Sequence, residues 1–365
     1  MNLLFFGSDF NVGLTTALTE QILEIQKRKD VINLTAISSD CEMEEGLFNK
    51  LKQANVNLNV INDLDIHRNF KTLSRKVENI IKTNNITHIN VHNNWQLALV
   101  SYIKYKRFIP KKFKIIYTIH GYRNNHFIKS ILAICIIGLA LLLFADRVIC
   151  MSSFVRKRFW LVRYKTNLVF YMMSQDEFNK KVNTIETHPL RLIFPARFQY
   201  GKNQIDILKA LKGYIEESND QSIHLFLPGE GPLKKECEDF TKDNHLEENV
   251  TFPGKISFDK VIDLQNSCNV SIISSTAETY GRCISEPFCL GRCVITRRVG
   301  IAEDIIRNNE NGFFFNTTSQ LKRLLLYLHN NPDRIEKIAN QAFKDKEIFS
   351  SNNVFEKYYN ALLKA

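Results

Sequence analysis

The sequence predicts an α/β protein made of two Rossmann-like, doubly wound domains. Short apolar strands alternate with helical stretches, which argues for βαβ units and a parallel sheet. The alternation pauses at a polar segment, then starts again. The length, 365 residues, suits about two to three domains of ordinary size.

In the first run Asn2–Phe6 reads as a strand and Thr15–Gln26 as a helix. Strands follow at Val31–Ile37 and Val56–Val60, then a helix at Leu73–Thr83, then strands at His88–Val91, Lys114–Thr118 and Arg147–Cys150. A polar stretch, Asp176–Thr187, ends in His188-Pro189 and marks the expected linker, residues 176–189. The second run has strands at Arg191–Phe194, His224–Leu227, Val270–Ile273 and Cys293–Thr296. Helices are expected at Gln204–Glu216, Leu233–Asn244, Phe258–Gln265 and near Ser285–Leu290. The expected domains are therefore 1–175 and 190–340. The tail from Pro332 reads as helix without a strand, and 341–365 is expected to pack back on the first domain. Doubly wound domains bind ligands beyond the carboxyl ends of their strands, so two of them facing each other place the chemistry in a cleft lined by those loops.

Composition bounds the rest. Hydrophobic residues make up 44% and charged residues 24%, ordinary for a globular protein with a sizeable core. The eight cysteines form no CxxC pair and several sit in apolar runs, which points to a reducing, cytoplasmic compartment and no zinc site. The first residues lack a basic flank, and Asp9 ends their apolar run, so a strand and Gly turn is a better reading than a signal peptide. The net charge of +11 is confined to residues 1–187, which hold 26 Lys and Arg against 15 Asp and Glu; the remainder is neutral. Between Glu78 and Asp146 there are nine basic residues and no acid. Such asymmetry predicts an anionic partner.

The segment Ser274-Ser-Thr-Ala-Glu278-Thr-Tyr-Gly281-Arg-Cys-Ile-Ser-Glu286 follows an apolar strand. Gly281 lets the backbone turn sharply and approach a ligand, and the helix after it offers unpaired N–H groups to an anion. A carboxylate is a good acceptor for paired sugar hydroxyls. Two of them eight residues apart, on a loop and on the first turn of the helix, can grip two parts of one ligand. The plainer reading is that Glu286 complements a helix dipole and Glu278 is a solvated loop residue. Pro287 fits only in the first turn of that helix.

These residues resemble the retaining glycosyltransferases of the GT-B fold, glycosyltransferase family 4, whose hallmark is Glu-x7-Glu with an aromatic-Gly pair after the first Glu. Glu278, Tyr280-Gly281 and Glu286 match it. Phe194-Pro-Ala-Arg197 with Lys202-Asn203, Leu227-Pro-Gly229-Glu-Gly231-Pro232, Val250-Thr-Phe-Pro-Gly254 and Phe288 through Glu303 resemble further motifs of the family. Thr118-Ile-His120-Gly121 and Ala145 through Ser152 do so in the first domain. The sequence departs from the pattern in its first loop, Ser8-Asp-Phe-Asn-Val-Gly13-Leu, which has Gly13 where a Gly-Gly pair is usual. Thr279 and Ile301 also stand where Gly is common.

The resemblance implies a transfer of sugar from a nucleotide-diphosphate-sugar to a hydroxyl, with retention of configuration. It assigns Arg197 and Lys202 to the donor diphosphate, where a cation offsets developing negative charge. Glu286 is assigned to the nucleotide ribose. Glu278, with Tyr280, Gly281 and Arg282, is assigned to the donor sugar and phosphates. Gly13, Gly229 and Gly231 line the donor, and His120 lies near the transferred sugar. An isolated Arg, Lys or His beside a strand is more often structural or solvated. Asp63 and Asp65 lie in a loop of the first domain, away from the donor site, so no essential metal or other cofactor is expected.

The acceptor is read from the basic half: a glycan or polyprenyl-diphosphate-linked acceptor at a membrane surface, as in synthesis of a surface polysaccharide such as lipopolysaccharide O-antigen or capsule. Ile131–Phe144 is apolar throughout but shorter than the about 20 residues of a span. It is either a buried helix or one partly inserted at the membrane surface, anchored by Phe108, Phe113, Tyr122 and Phe127. No zinc-finger spacing, RNA-recognition signature or basic zipper is present, so no nucleic acid partner is expected. Two alternatives stay open: a sugar-nucleotide epimerase or phosphorylase on the same fold, and a non-catalytic subunit.

Overall fold

The computed structural model describes residues 1–6, 21–27, 31, 33–38, 45–61, 66–106, 113–120, 127–171, 178–179, 182 and 184–365. The chain divides into two compact units. The first comprises Met1–Met151, Val155–Phe178 and Phe349–Ala365; the second comprises Ser152–Phe154 and Asn179–Ile348.

The first unit carries a parallel sheet of β1 (Asn2–Phe6), β2 (Asn33–Ser38), β3 (Asn57–Val60), β4 (His88–Val91), β5 (Lys114–Ile119), β6 (Arg147–Cys150) and β7 (Thr166–Leu168). Their order is β3-β2-β1-β4-β5-β6-β7. Leu3 pairs with Leu34 on one side and His88 on the other, so the winding reverses between β1 and β4. Leu3, Leu4, Phe5 and Phe6 are all buried, which explains a strand apolar on both faces: helices cover both sides of the sheet. The helices Ile66–Thr83, Asn94–Lys106 and Phe127–Phe144 lie between successive strands in the chain. Asn90, on β4, is fully buried and has partners for both polar atoms. Its amide donates to the Tyr358 hydroxyl, and its oxygen accepts from Thr118 at 3.0 Å. Tyr358 lies on the last helix, Ser351–Leu363, which therefore belongs to the first unit. Without those partners a buried amide would be costly.

The second unit repeats the plan with β8 (Arg191–Ile193), β9 (His224–Phe226), β10 (Val250–Thr251), β11 (Val270–Ile273), β12 (Cys293–Thr296) and β13 (Phe313–Phe314). The order is β10-β9-β8-β11-β12-β13, again parallel, with the reversal between β8 and β11. Both sheets thus follow the doubly wound pattern in which ligands bind at the carboxyl ends beside the reversal.

Two elements differ from expectation in ways that matter. The helix expected near Ser285–Leu290 begins at Arg282 and ends at Cys289. Gly281, at φ 89°, takes the left-handed conformation that starts it. Glu286 consequently lies in the second turn, and Pro287 lies inside the helix, where its missing N–H leaves one carbonyl without the usual helical donor. The apolar helix Phe127–Phe144 is neither wholly buried nor wholly exposed. Gly138 and Leu141 are buried and Ile134 and Ile137 pack on the core, while Ile131, Leu132, Ile136, Leu139 and Leu143 face outward. Among the described residues no helix is long and apolar enough to cross a membrane.

Candidate active site

At the carboxyl end of β8 the chain keeps pairing with its neighbour beyond the named strand. Ala196 N–H donates to the Pro228 carbonyl at 3.0 Å and Phe198 N–H to Glu230 at 3.1 Å. Gly229 sits where this pairing is tightest. A Cβ there would lie 2.1 Å from the Ala196 carbonyl oxygen, and one at Gly231 would meet Phe198 in the same way. Only glycine lets the two backbones close. The buried Gln204 side chain donates to the Ala196 and Arg197 carbonyls at 3.4 and 3.3 Å. Arg197 therefore leaves a fixed backbone, and its side chain is exposed with no ion pair among the described residues.

The neighbouring wall follows β11. The Ser274 hydroxyl donates to the Lys202 carbonyl at 2.7 Å, and Thr276 N–H to Gly201 at 2.9 Å. These bonds hold the Lys202 turn beside the Glu278 loop. Lys202 and Glu278 form an ion pair, their side chains 18% and 12% exposed. Burial pulls the Lys202 ammonium down, but its neighbours, Glu278 foremost, more than offset it, so its pKa is raised and the charge is held. Only Oε1 of Glu278 takes that bond; Oε2 has no partner among the described residues and can accept from a ligand hydroxyl. One turn on, Arg282 Nε donates to Glu286 Oε1 at 2.8 Å, and the guanidinium lies 4.5 Å from the Phe258 ring centre. Glu286 is 5% exposed. Cys283 lies between these charges. Burial first, then Glu278, pushes its thiol up, so it stays neutral.

Gly300 pins the loop from behind. Ile301 N–H donates to the Tyr280 carbonyl at 2.7 Å, and Gly300 has φ 53°. Tyr280 is buried at 4% exposure, so its backbone, held from behind, sets where Glu278 and Gly281 stand.

In the first unit His120 stands just past β5, as the sequence suggested, and it is not alone. His92, just past β4, joins its Nδ1 to His120 Nε2 at 2.7 Å, and His120 Nδ1 joins the Tyr171 hydroxyl at 2.6 Å. Both ring nitrogens of His120 are thus engaged. His92 Nε2 is buried without a partner among the described residues. Burial lowers both histidines, His120 to about 3 and His92 well below its ordinary value, the latter helped by His120. Both are neutral at pH 7. Unfolded histidine binds its proton near pH 6.5, so between that value and about 3 the unfolded state carries more protons. Stability is complete above pH 6.5 and falls as the pH drops through this window. At pH 5 the loss from His120 is about 2 kcal/mol, and His92 adds to it in the same direction. Urea unfolding at pH 7.5 and pH 5 should show it, and His120→Asn should flatten the dependence. Equal slopes for the two proteins would contradict it.

The structure brings Lys202, Glu278, Tyr280, Gly281, Arg282 and Glu286 together around the carboxyl ends of β8 and β11, with Arg197, Gly229 and Gly231 on the β8 side. His120 belongs to the first unit. Gly13, Asp63 and Asp65 lie outside the described residues. Among the described residues no group of three His, Cys, Asp or Glu side chains could hold a metal. His92, Tyr171 and Gln204 did not emerge from the sequence, whereas Gly300 lies in the stretch Phe288 through Glu303 that resembles a family motif. Of the first three only His92 had a signal there, since it follows its strand as His120 does.

Two Rossmann-like units in one chain, each built on a parallel sheet, the second with a Gly-x-Gly turn after β9 and an acidic loop after β11, are the architecture of GT-B glycosyltransferases. Residues 175–345 match the family described as glycosyl transferases group 1, a stretch that covers most of the second unit. The chain is 27% identical over 191 residues to an uncharacterized glycosyltransferase of Methanocaldococcus jannaschii, covering 52% of this chain. The match spans about half that relative's length, 51%. It is 22% identical to N-acetyl-alpha-D-glucosaminyl L-malate synthase of Bacillus anthracis, covering 80% of this chain and 79% of the relative. Among solved structures, HepE of Anabaena in complex with UDP superposes with a TM-score of 0.77 at 16% identity, over 100% of both chains. That likeness concerns the fold.

Proposed function

We propose that the protein transfers a glycosyl group from a nucleotide-diphosphate-sugar to a hydroxyl of a glycan acceptor, with retention at the anomeric carbon. The observation that carries this is the paired arrangement of Lys202 with Glu278, on adjoining loops, and of Arg282 with Glu286, on the helix that follows, at the reversal point of the second sheet. Cations and carboxylates alternate there, which suits a ligand carrying both phosphates and hydroxyls. The group 1 match over the same residues supports the reading, as does the complex of the related fold with UDP.

In this reading Arg197 and Lys202 hold the donor diphosphate. Glu286 accepts from the ribose hydroxyls, and Glu278 Oε2 from a hydroxyl of the transferred sugar. Arg282, Tyr280 and Gly281 shape the phosphate side. The bond between the anomeric carbon and the diphosphate oxygen breaks while the acceptor oxygen bonds to the same face. The acceptor proton passes to the departing phosphate oxygen. Lys202 and Arg197 stabilise the charge on that oxygen, and the fixed loops supply orientation. No step requires a metal. His120 is assigned to the transferred sugar, which requires one ring nitrogen to exchange His92 or Tyr171 for a hydroxyl. The acceptor is assigned to the first unit, whose positive charge suits a lipid-diphosphate-linked glycan of a surface polysaccharide. A cytoplasmic site at the inner membrane face goes with that assignment.

A thermal-shift series with UDP, GDP, ADP and dTDP and their sugars tests the donor assignment. One base should raise the midpoint, since a ligand at 100 times its dissociation constant adds about 2.7 kcal/mol. No shift with any of them at millimolar concentration would refute it.

A further inference from the structure

The first unit carries an apolar face that none of the donor chemistry uses. On the helix Phe127–Phe144 the side chains of Ile131, Leu132, Ile136, Leu139 and Leu143 are 48–60% exposed. Cys135 is exposed among them. At 100° per residue these positions share one arc of the helix, and no polar side chain interrupts it. The opposite arc is packed on the core through Ile134, Ile137 and Leu141. A helix pinned to its sheet along one side cannot enter a bilayer end-on. It can only present its other side.

A second element extends the face. The 3-10 segment Trp160–Lys165 packs against this helix: Leu161 lies against Gly138, 3.3 Å from where a Cβ would stand. Lys165 Nζ donates to the Leu142 and Ala145 carbonyls at 2.8 and 2.9 Å, closing the end of the helix. The segment exposes Trp160 and Tyr164, at 65% and 69%. Tyr105, 55% exposed, meets Phe144 with ring centres 5.8 Å apart. Leucine and isoleucine are thus bordered by amphipathic aromatic rings, the pattern of a surface that sits at the headgroup level.

The charge around it has one sign. Residues 147–175 contain six basic side chains and no acid. Lys157 and Arg163, beside Trp160, are exposed. Asp146, the nearest acid in the chain, is already engaged: it accepts from Lys104 at 3.0 Å and from the Ile115 N–H at 2.8 Å. A second copy of this chain would bring two such basic rims together, which disfavours self-association. A contiguous apolar patch rimmed by cations fits an anionic lipid surface.

We propose that this face, made by the outer arc of Phe127–Phe144 with Trp160, Tyr164 and Tyr105, docks flat on the surface of an anionic bilayer. Lys157 and Arg163 meet the headgroups. The proposal stands independently of the donor assignment, because it rests on residues that take no part in it.

Sedimentation with sucrose-loaded vesicles tests it. The full chain should pellet with vesicles in which a third of the lipid is phosphatidylglycerol, and far less with pure phosphatidylcholine. Binding should weaken as salt rises. The sequence holds two tryptophans, so Trp emission should shift to the blue on binding, and Trp160→Phe should remove the shift. The double variant Leu132→Glu, Leu139→Glu changes exposed positions. It should cut binding at least tenfold with an unchanged melting midpoint. Three results would overturn the proposal: no pelleting with the anionic vesicles, equal pelleting of the double variant, or a wild-type dimer in light scattering that the double variant abolishes. Nucleotide binding, measured without vesicles, is unaffected by either result and keeps the two proposals separable.

Discussion

Glu278→Ala is expected to lower glycosyl transfer by roughly 10²–10³-fold while the protein stays folded, the scale seen when one preorganised electrostatic contact is lost. The argument starts from the ion pair. Glu278 keeps the mostly buried Lys202 ammonium charged, because burial alone pulls that pKa down. Removing the carboxylate leaves a cation that is 18% exposed without its partner. The fold should lose about 1–3 kcal/mol, because a mostly buried charge loses its hydrogen-bonded partner. Diphosphate affinity should suffer less than turnover, since Lys202 then has only the donor to pair with. The sugar, by contrast, loses the acceptor Oε2. Steady-state assays with a labelled sugar nucleotide separate the two: kcat should fall and the donor KM should change little. Glu278→Gln, which keeps the shape and loses the charge, should resemble the alanine variant in kcat. Wild-type turnover in both would remove Glu278 from the reaction.

Gly300→Ala should have a large effect on stability. The added methyl would stand 2.1 Å from the Tyr280 carbonyl oxygen and 2.9 Å from Glu278 Cβ. The backbone there has φ 53°, which costs an L residue further. Backbone cannot yield as a long side chain can, so the loop from Glu278 to Gly281 must move. A cost of about 3 kcal/mol or more is expected, in the class of strain at a special backbone position. For a unit of this size that is a fall in Tm of roughly 6–12 °C. Gly213→Ala is the internal contrast. Gly213 lies within the helix Gln204–Ser218, and its new methyl would meet only the flexible Lys322 side chain, at 2.9 Å from Cδ. There the gain in helix propensity should leave stability equal or raised by about 0.5–1 kcal/mol. Calorimetry of the two variants checks the pair, and equal midpoints would contradict the account.

Much of the fold was legible because parallel strands buried on both faces read as continuous apolar runs. Leu3–Phe6 and Cys293–Ile295 are such runs. β7, with three residues, and β13, with two, are too short to show a period, and neither was anticipated. The Arg282–Glu286 pair has the i,i+4 spacing of a helix, yet it was hidden because Pro287 suggested a later helix start. Gly281 in the left-handed conformation opens the helix earlier than the proline rule allows. The Lys202–Glu278 pair spans 76 residues and becomes visible only when β8 and β11 are neighbours. The same holds for His92 and His120, which meet because β4 and β5 pair. The apolar stretch 131–144 shows the reverse limit. Its sequence is uniform around the helix, and only packing reveals which arc is covered.

The central claim is that the cationic and acidic loops of the second unit serve sugar transfer. The most direct measurement incubates the protein with a radiolabelled sugar nucleotide, chosen by the thermal-shift series, and a lipid-linked glycan fraction. Label in the acceptor and released nucleoside diphosphate are then followed together. The account predicts acceptor-dependent transfer with the donor's anomeric configuration kept, and its loss in Glu278→Ala. Nucleotide binding without transfer to any acceptor, or a rearranged sugar nucleotide as the only product, would contradict it.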